Sequence, residues 1–203
     1  MRLAVILVVG TIGIVTAHTW QNEQLRNNVL ANELANRADK LSHGNIDEAV
    51  MLIERATDLA PRNPNIWYAA SGIYAMKAMT VFQSGTTTHY PWVEKSIDAA
   101  RNADGCSNDW FYTKDVGDSL LFAFVYEYRP IDLIEILSIY NTIDTNGDAV
   151  MERHMHVRRE FVKTLIEQQK EFFKHDENDS RSYGGNGGSG WLRNDRQPSA
   201  ALR

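Results

Sequence analysis

Cysteine is almost missing from this chain of 203 residues, Cys106 being the single one. That excludes an intramolecular disulfide and any cysteine-rich zinc site. A basic surplus is missing too: the formal net charge is -5, whereas nucleic-acid binders usually carry a strong positive excess. No segment sustains the period-two alternation of a half-buried strand, which argues against a sheet. Nothing resembles a phosphate-binding loop. The stretch GGSGW, ending at Trp191, lacks the Gly-x-Ser-x-Gly order of a nucleophile elbow. Proline is scarce, and Pro61, Pro64, Pro91 and Pro130 all fall in breaks between helix-like runs. What remains is an ordinary globular composition, 43% hydrophobic and 23% charged, in a chain long enough for one substantial core.

The N-terminus departs from that pattern. Arg2 is followed by an uncharged, mostly apolar run from Leu3 to Ala17. As a signal peptide, the run ends on Val15-Thr16-Ala17, with the small residue that cleavage requires. As a single-pass anchor it falls short of the roughly 20 apolar residues that span a bilayer. Extending it through His18 to Trp20 brings it close, and Trp20 suits a headgroup-level aromatic anchor. A buried N-terminal helix is the third reading. The anchor is the preferred expectation, over residues 1–20. Either export reading places the rest outside the cytoplasm, because Arg2 and the α-amino group favour an inside N-terminus. No cysteine follows the run, so a lipoprotein anchor is excluded.

The remainder predicts an all-α domain over residues 21–175. Gln21 to Leu41 is polar, with Leu25, Val29, Leu30, Leu34, Ala38 and Leu41 at mixed three- and four-residue spacing, an amphipathic helix continuing from the apolar run. Gly44 suits a turn. Asp47 and Glu48 then open a helix whose buried stripe is Ala49, Leu52, Ile53, Ala56, Leu59 and Ala60. Further helices are expected over Asn65–Met79, Val93–Ala103, Trp110–Tyr128, Ile131–Ile143 and Ala149–Lys174. Val81 to Trp92 reads as a loop with exposed aromatics. Residues 176–203, rich in Gly, Ser, Asn and charge, predict a disordered tail.

One stretch, AVMLIERATDLAPRNPNIWYAASGIY from Ala49 to Tyr74, carries more than helix signals. Two helical runs flank a Pro-Arg-Asn-Pro break, and the second opens on a tryptophan. Ala49, Ile53, Ala56 and Pro61 have the spacing of the second helix of a tetratricopeptide repeat. Trp67, Ala70, Ser71 and Tyr74 have the spacing of the next repeat's first helix. Over about residues 34–79 the chain therefore resembles the tetratricopeptide repeat family; downstream the resemblance weakens. Small residues let neighbouring helices approach, Ile53, Trp67 and Tyr74 fill the spaces between them, and Pro61 turns the chain.

The resemblance implies a helical-hairpin solenoid whose first helices line a concave side where extended peptides or partner helices dock. Projected onto this sequence, Asn65, Tyr68, Gly72 and Met76 face that groove, joined by Leu34 and Leu41 from the preceding pair. The basic and asparagine residues with which some members clamp a peptide carboxylate are not evident. The loop aromatics Phe82, His89, Tyr90 and Trp92 are candidates for stacking on a sugar ring or inserting in a partner pocket, Tyr90 and Trp92 foremost. They could equally fold over their own helix pair. Trp191 and Leu192 form a candidate docking motif in the tail.

Two other motifs read weakly. His154 and His156 lie two apart, on different helix faces, and two ligands do not close a metal site. Asp144 to Asp148 has a calcium-loop flavour, but Gly147 sits at the fourth position rather than the sixth. The expectation is a protein without catalytic residue, cofactor or metal, acting as a scaffold for protein–protein interaction in the bacterial envelope. It would be anchored once in the inner membrane with its domain on the extracytoplasmic side, or exported if the leader is cleaved. The alternative is a stoichiometric structural subunit of a larger membrane or surface assembly. The resemblance suggests polysaccharide or pilus assembly by analogy.

Overall fold

The structure, a computed structural model, describes the backbone of residues 2–85, 89–125 and 133–182, and the side chains of 20–85, 89–125 and 133–171. Among the described residues it contains seven α-helices and no strand: α1 (Arg2–Ser42), α2 (Ile46–Leu59), α3 (Pro64–Gln83), α4 (Tyr90–Cys106), α5 (Trp110–Val125), α6 (Leu133–Thr142) and α7 (Ala149–Ser182). The chain divides into two compact units, Met1–Lys163 and Thr164–Arg203. The first holds all the packing described below. The second contributes the end of α7 to the described residues.

Local chemistry explains the corners. Between α1 and α2 the chain reverses through Gly44 and Asn45, whose N–H groups both donate to Leu41 O. Asn45 then caps α2 reciprocally: its side chain accepts from Glu48 N at 3.3 Å and donates to Glu48 Oε2 at 3.1 Å. One backbone donor left over by the first turn is thereby satisfied, and the bond between the two side chains holds the cap in place. At the next corner Pro61 ends α2, Asn63 caps α3 by accepting from Asn65 N, and Pro64 takes the first helical position, where its missing N–H costs nothing. Trp67 closes this corner by donating its indole N–H to Pro61 O at 2.8 Å. The tryptophan after the Pro-Arg-Asn-Pro break thus does two things, packing between helices and tying down the turn before it.

The helices stack as consecutive pairs. α1 packs on α2, α3 on α4 and α5 on α6, and each pair meets the next through α2–α3 and α4–α5. In addition the backbones of α1 and α3, and of α3 and α5, approach closely, while α2 and α4 are bridged only by side chains such as the pair Lys95–Glu54. The layer whose alternate members meet has the shorter spacing, so the stack curves towards α1, α3 and α5. α7 continues the alternation, with Arg158 reaching Asp118 on α5 and Arg159 donating to Tyr140 O on α6.

Small side chains set the close approach. The core of the first two pairs is built from Ala31, Ala35, Ala38, Ala49, Ile53, Ala56, Ile66, Ala70, Ile73 and Tyr74. On α1 the expected stripe holds at Ala38, with Leu34 and Leu41 packed against the core, and fails at its N-terminal end. Ala31, Ala35 and Ala38 are buried, whereas Leu25 and Val29 stand 64% and 69% exposed. Arg37 turns outward to pair with Glu48 at 3.0 Å.

Boundaries shift elsewhere as well. α3 runs on to Gln83 and α4 starts at Tyr90, so the expected loop from Val81 to Trp92 is shorter and Phe82, Tyr90 and Trp92 lie on helices. α7 continues past Asp176, where a disordered tail was expected. Among the described residues no helix is long and apolar enough to cross a membrane. The membrane helix expected over 1–20 gains no support from them, since the side chains of the apolar run from Leu3 to Ala17 lie outside them.

Candidate partner-binding groove

Positions 65, 68, 72, 76 and 79 recur every three or four residues and therefore share one face of α3. Asn65, Tyr68, Gly72 and Met79 are exposed there and Met76 is half-buried. The buried residues Ile66, Ala70, Ile73 and Tyr74 hold the remaining faces against α2 and α4. On α5 the matching positions are Phe111, Asp115, Asp118 and Phe122, all half-buried. The two faces meet along the inner layer. Tyr68 and Phe111 place their ring centroids 4.8 Å apart in a tilted pair, and the Tyr112 hydroxyl donates to Asn65 Oδ1 at 2.8 Å. Two of the sequence-derived groove residues are thus held by α5, and Gly72 leaves its stretch of helix uncovered, with open space around its Cα.

The carboxylates of α5 live in contrasting surroundings. Asp118 is heavily served: it takes Arg158 Nε at 2.7 Å, Arg158 NH2 at 2.9 Å, Lys114 Nζ at 2.7 Å and the Tyr140 hydroxyl at 2.7 Å. Burial alone would raise its carboxyl, but these donors outweigh it and hold the group below the ordinary carboxylate range. Asp115, one turn earlier, is the reverse case. Its Oδ2 is buried and accepts no hydrogen bond among the described residues. Burial pushes its carboxyl up to about 6, although a hydrogen bond from Ser71 and the charge of Lys114 pull the other way.

Beneath Asp115 a small polar node joins three helices. Ser71 Oγ lies 3.2 Å from Ser119 Oγ, and Ser96 Oγ donates to Ser71 O at 3.0 Å. The Tyr68 hydroxyl is raised by its partial burial and by the negative fields of Asp115 and Asp118. Its ring remains 39% exposed at the mouth of this arrangement.

The other candidate contacts lie elsewhere. Trp92 is half-buried on the side of α4 that meets α2 and α3, with its ring 6.2 Å from Tyr74 and Lys95 Nζ 4.8 Å from its centroid. Lys95 and Lys77 in turn pair with Glu54 and Asp47 on α2. Tyr74 and Lys77 occupy a different face of α3 from Tyr68, so Trp92 does not join the groove. Tyr90 is half-buried beside the buried His89, ring centroids 4.3 Å apart. Trp191 lies outside the described residues. Leu34 and Leu41 pack against the core of the first pairs. His154 and His156 are exposed on α7, and among the described residues no three His, Cys, Asp or Glu side chains converge as a metal site.

The residues of α5 escaped the sequence reading although their signal was available. Phe111, Asp115, Asp118 and Phe122 follow the i, i+4, i+7, i+11 spacing of one helix face. Extending the first-helix projection from α3 to α5 finds them. No family model, no curated protein and no solved structure matches this chain.

Proposed function

We propose that this chain is a non-enzymatic helical-repeat scaffold of the bacterial envelope, anchored by its N-terminal segment and docking a protein partner on its inner face. The observation that carries the reading is the inner layer itself. Alternate helices α1, α3 and α5 converge there, and the side chains they present include a partly exposed tyrosine, a bare glycine and methionine rather than a closed polar cavity. Such a face suits an extended segment or a helix laid along it. The resemblance to tetratricopeptide repeats supports the same use of the same helices, and the apolar run from Leu3 to Ala17 supports the anchor.

A second reading, a built-in subunit of a larger assembly, draws on different residues. Leu25 and Val29 on α1, and Val150, Val157 and Phe161 on α7, are exposed apolar side chains at helical spacing. A permanent neighbour would cover them.

Co-purification separates the two. Full-length protein and a Met76→Glu variant are extracted from native membranes after crosslinking, and partners are quantified by mass spectrometry. The groove reading predicts a partner that is lost from the variant. Partners kept at fixed ratio by both proteins would instead assign the function to the outer apolar faces.

A further inference from the structure

Resting on the groove reading, the geometry points to a more specific role for its centre: we propose that Asp115, Tyr68 and Phe111 form a receptor for a lysine or arginine side chain of the docked partner. Three independent observations place a cation there. Asp115 Oδ2 is buried without a hydrogen-bond donor among the described residues. Buried carboxylate oxygens are ordinarily satisfied, because the loss of water is otherwise uncompensated. The nearby cations are committed to the other carboxylate: Lys114 and Arg158 both bond Asp118 at 2.7 Å. Asp115 therefore feels the field of Lys114 without receiving a hydrogen bond from it.

The second observation is aromatic. Tyr68 and Phe111 form a tilted pair beside the carboxylate, and Lys114 Nζ already stands 5.6 Å from the Phe111 centroid. One ring of the pair thus already holds a cation of the chain itself. Tyr68 is the more exposed ring of the pair and lies within the field of Asp115. A carboxylate combined with ring faces attracts an ammonium or guanidinium by charge and quadrupole together. A neutral donor would satisfy the oxygen but gain little from the rings.

The third is position. Gly72 lies on the same α3 face as Tyr68, and a side chain added there would meet nothing within 4 Å. The backbone of a bound segment can lie over this bare turn while its side chain reaches down to Asp115. The serine node at Ser71, Ser96 and Ser119 fixes the floor, since it ties α3, α4 and α5 together directly below. The site is thus built on packed helices rather than on a loop, which keeps the carboxylate and ring in register.

The test uses the full chain in detergent micelles and three probes, the acetylated and amidated pentapeptides Gly-Ser-Lys-Ser-Gly, Gly-Ser-Gln-Ser-Gly and the acetyl-lysine counterpart. Binding is followed by the carbon-13 side-chain signal of Asp115, or of the asparagine in Asp115→Asn. The lysine peptide is expected to bind at least about tenfold more tightly than either neutral peptide, and to shift the Asp115 titration to lower pH. Asp115→Asn, close in shape and still folded by its melting curve, is expected to abolish the preference. Equal binding of the three peptides, no binding of the lysine peptide, or a preference that survives Asp115→Asn overturns the cation receptor. A photocrosslinker at Tyr68 in native membranes keeps the two levels apart. A partner captured equally by wild type and Asp115→Asn leaves the groove standing without its cation receptor, while no capture at Tyr68 removes both.

Discussion

Arg158 grips both oxygens of Asp118, Nε to Oδ1 at 2.7 Å and NH2 to Oδ2 at 2.9 Å, and thereby binds α7 to α5. The fork geometry is one that a lysine cannot copy. Loss of the guanidinium in Arg158→Ala is predicted to lower stability by about 2 kcal/mol, in the range for charged hydrogen bonds. The cost stays below that of breaking a fully buried pair because Lys114 and Tyr140 still serve Asp118. Denaturant melts of Arg158→Ala and Arg158→Lys check this, and Arg158→Lys is expected to recover less than half of the loss.

The same pair sets one pH dependence. The Asp118 carboxyl is held below its unfolded value of about 3.9. Its contribution is therefore present above that value and lost as pH falls through the lower folded value. The stability difference between wild type and Asp118→Asn should be constant near neutrality and shrink only in acid below about pH 4.

Asp115 predicts the opposite sign. Its folded carboxyl titrates at about 6, above the unfolded group, so the native state binds the proton more tightly. The ionised form opposes folding, fully above about pH 6, and the opposition fades as pH falls towards the unfolded value. Asp115→Asn is predicted to stabilise the protein by roughly 1–3 kcal/mol at pH 7.5, with a smaller gain at pH 4.5. A gain independent of pH, or a loss at pH 7.5, contradicts the burial of this charge.

Two glycines should respond in opposite directions. At Gly117 on α5 an added methyl group would overlap the ring of the buried Tyr140. Gly117→Ala is predicted to destabilise by about 1–3 kcal/mol despite the better helix former. Gly72 meets nothing, and Gly72→Ala is predicted to stabilise by about 0.5–1 kcal/mol. Thermal melts of both variants decide the pair.

At the corner between α2 and α3, Trp67→Phe keeps an aromatic ring but deletes the donor to Pro61 O. The expected cost is about 1–2 kcal/mol, with faster amide exchange at Asn63 and Ile66, whose N–H groups donate within that turn.

Much of this architecture was written in local sequence signals. The corner at Pro61 to Pro64 was legible because two prolines and a following tryptophan admit few backbone solutions, and the buried faces of α2 and α3 followed from their spacing. The α1 face was less legible. Ala38, Leu34 and Leu41 of the expected stripe do face the core, but leucines outrank alanines on any hydrophobicity count, and the burial of Ala31 and Ala35 in place of Leu25 and Val29 is a tertiary fact. Trp92 illustrates the same limit: an aromatic in a polar stretch reads as exposed until Lys95, Glu54 and Tyr74 arrive from three helices to surround it. The unsatisfied oxygen of Asp115 has no sequence signature at all. Its neighbour Lys114 turns to Asp118 instead.

The central claim is that the inner face formed by α3 and α5 is where a partner protein docks. The most direct measurement is site-specific photocrosslinking in native membranes, with the same crosslinking amino acid placed at Tyr68 on the inner face or at Met51, exposed on α2. The account predicts a discrete adduct with a partner protein from position 68 and none from position 51. Adducts from position 51 alone, or equal adducts from both, would contradict it.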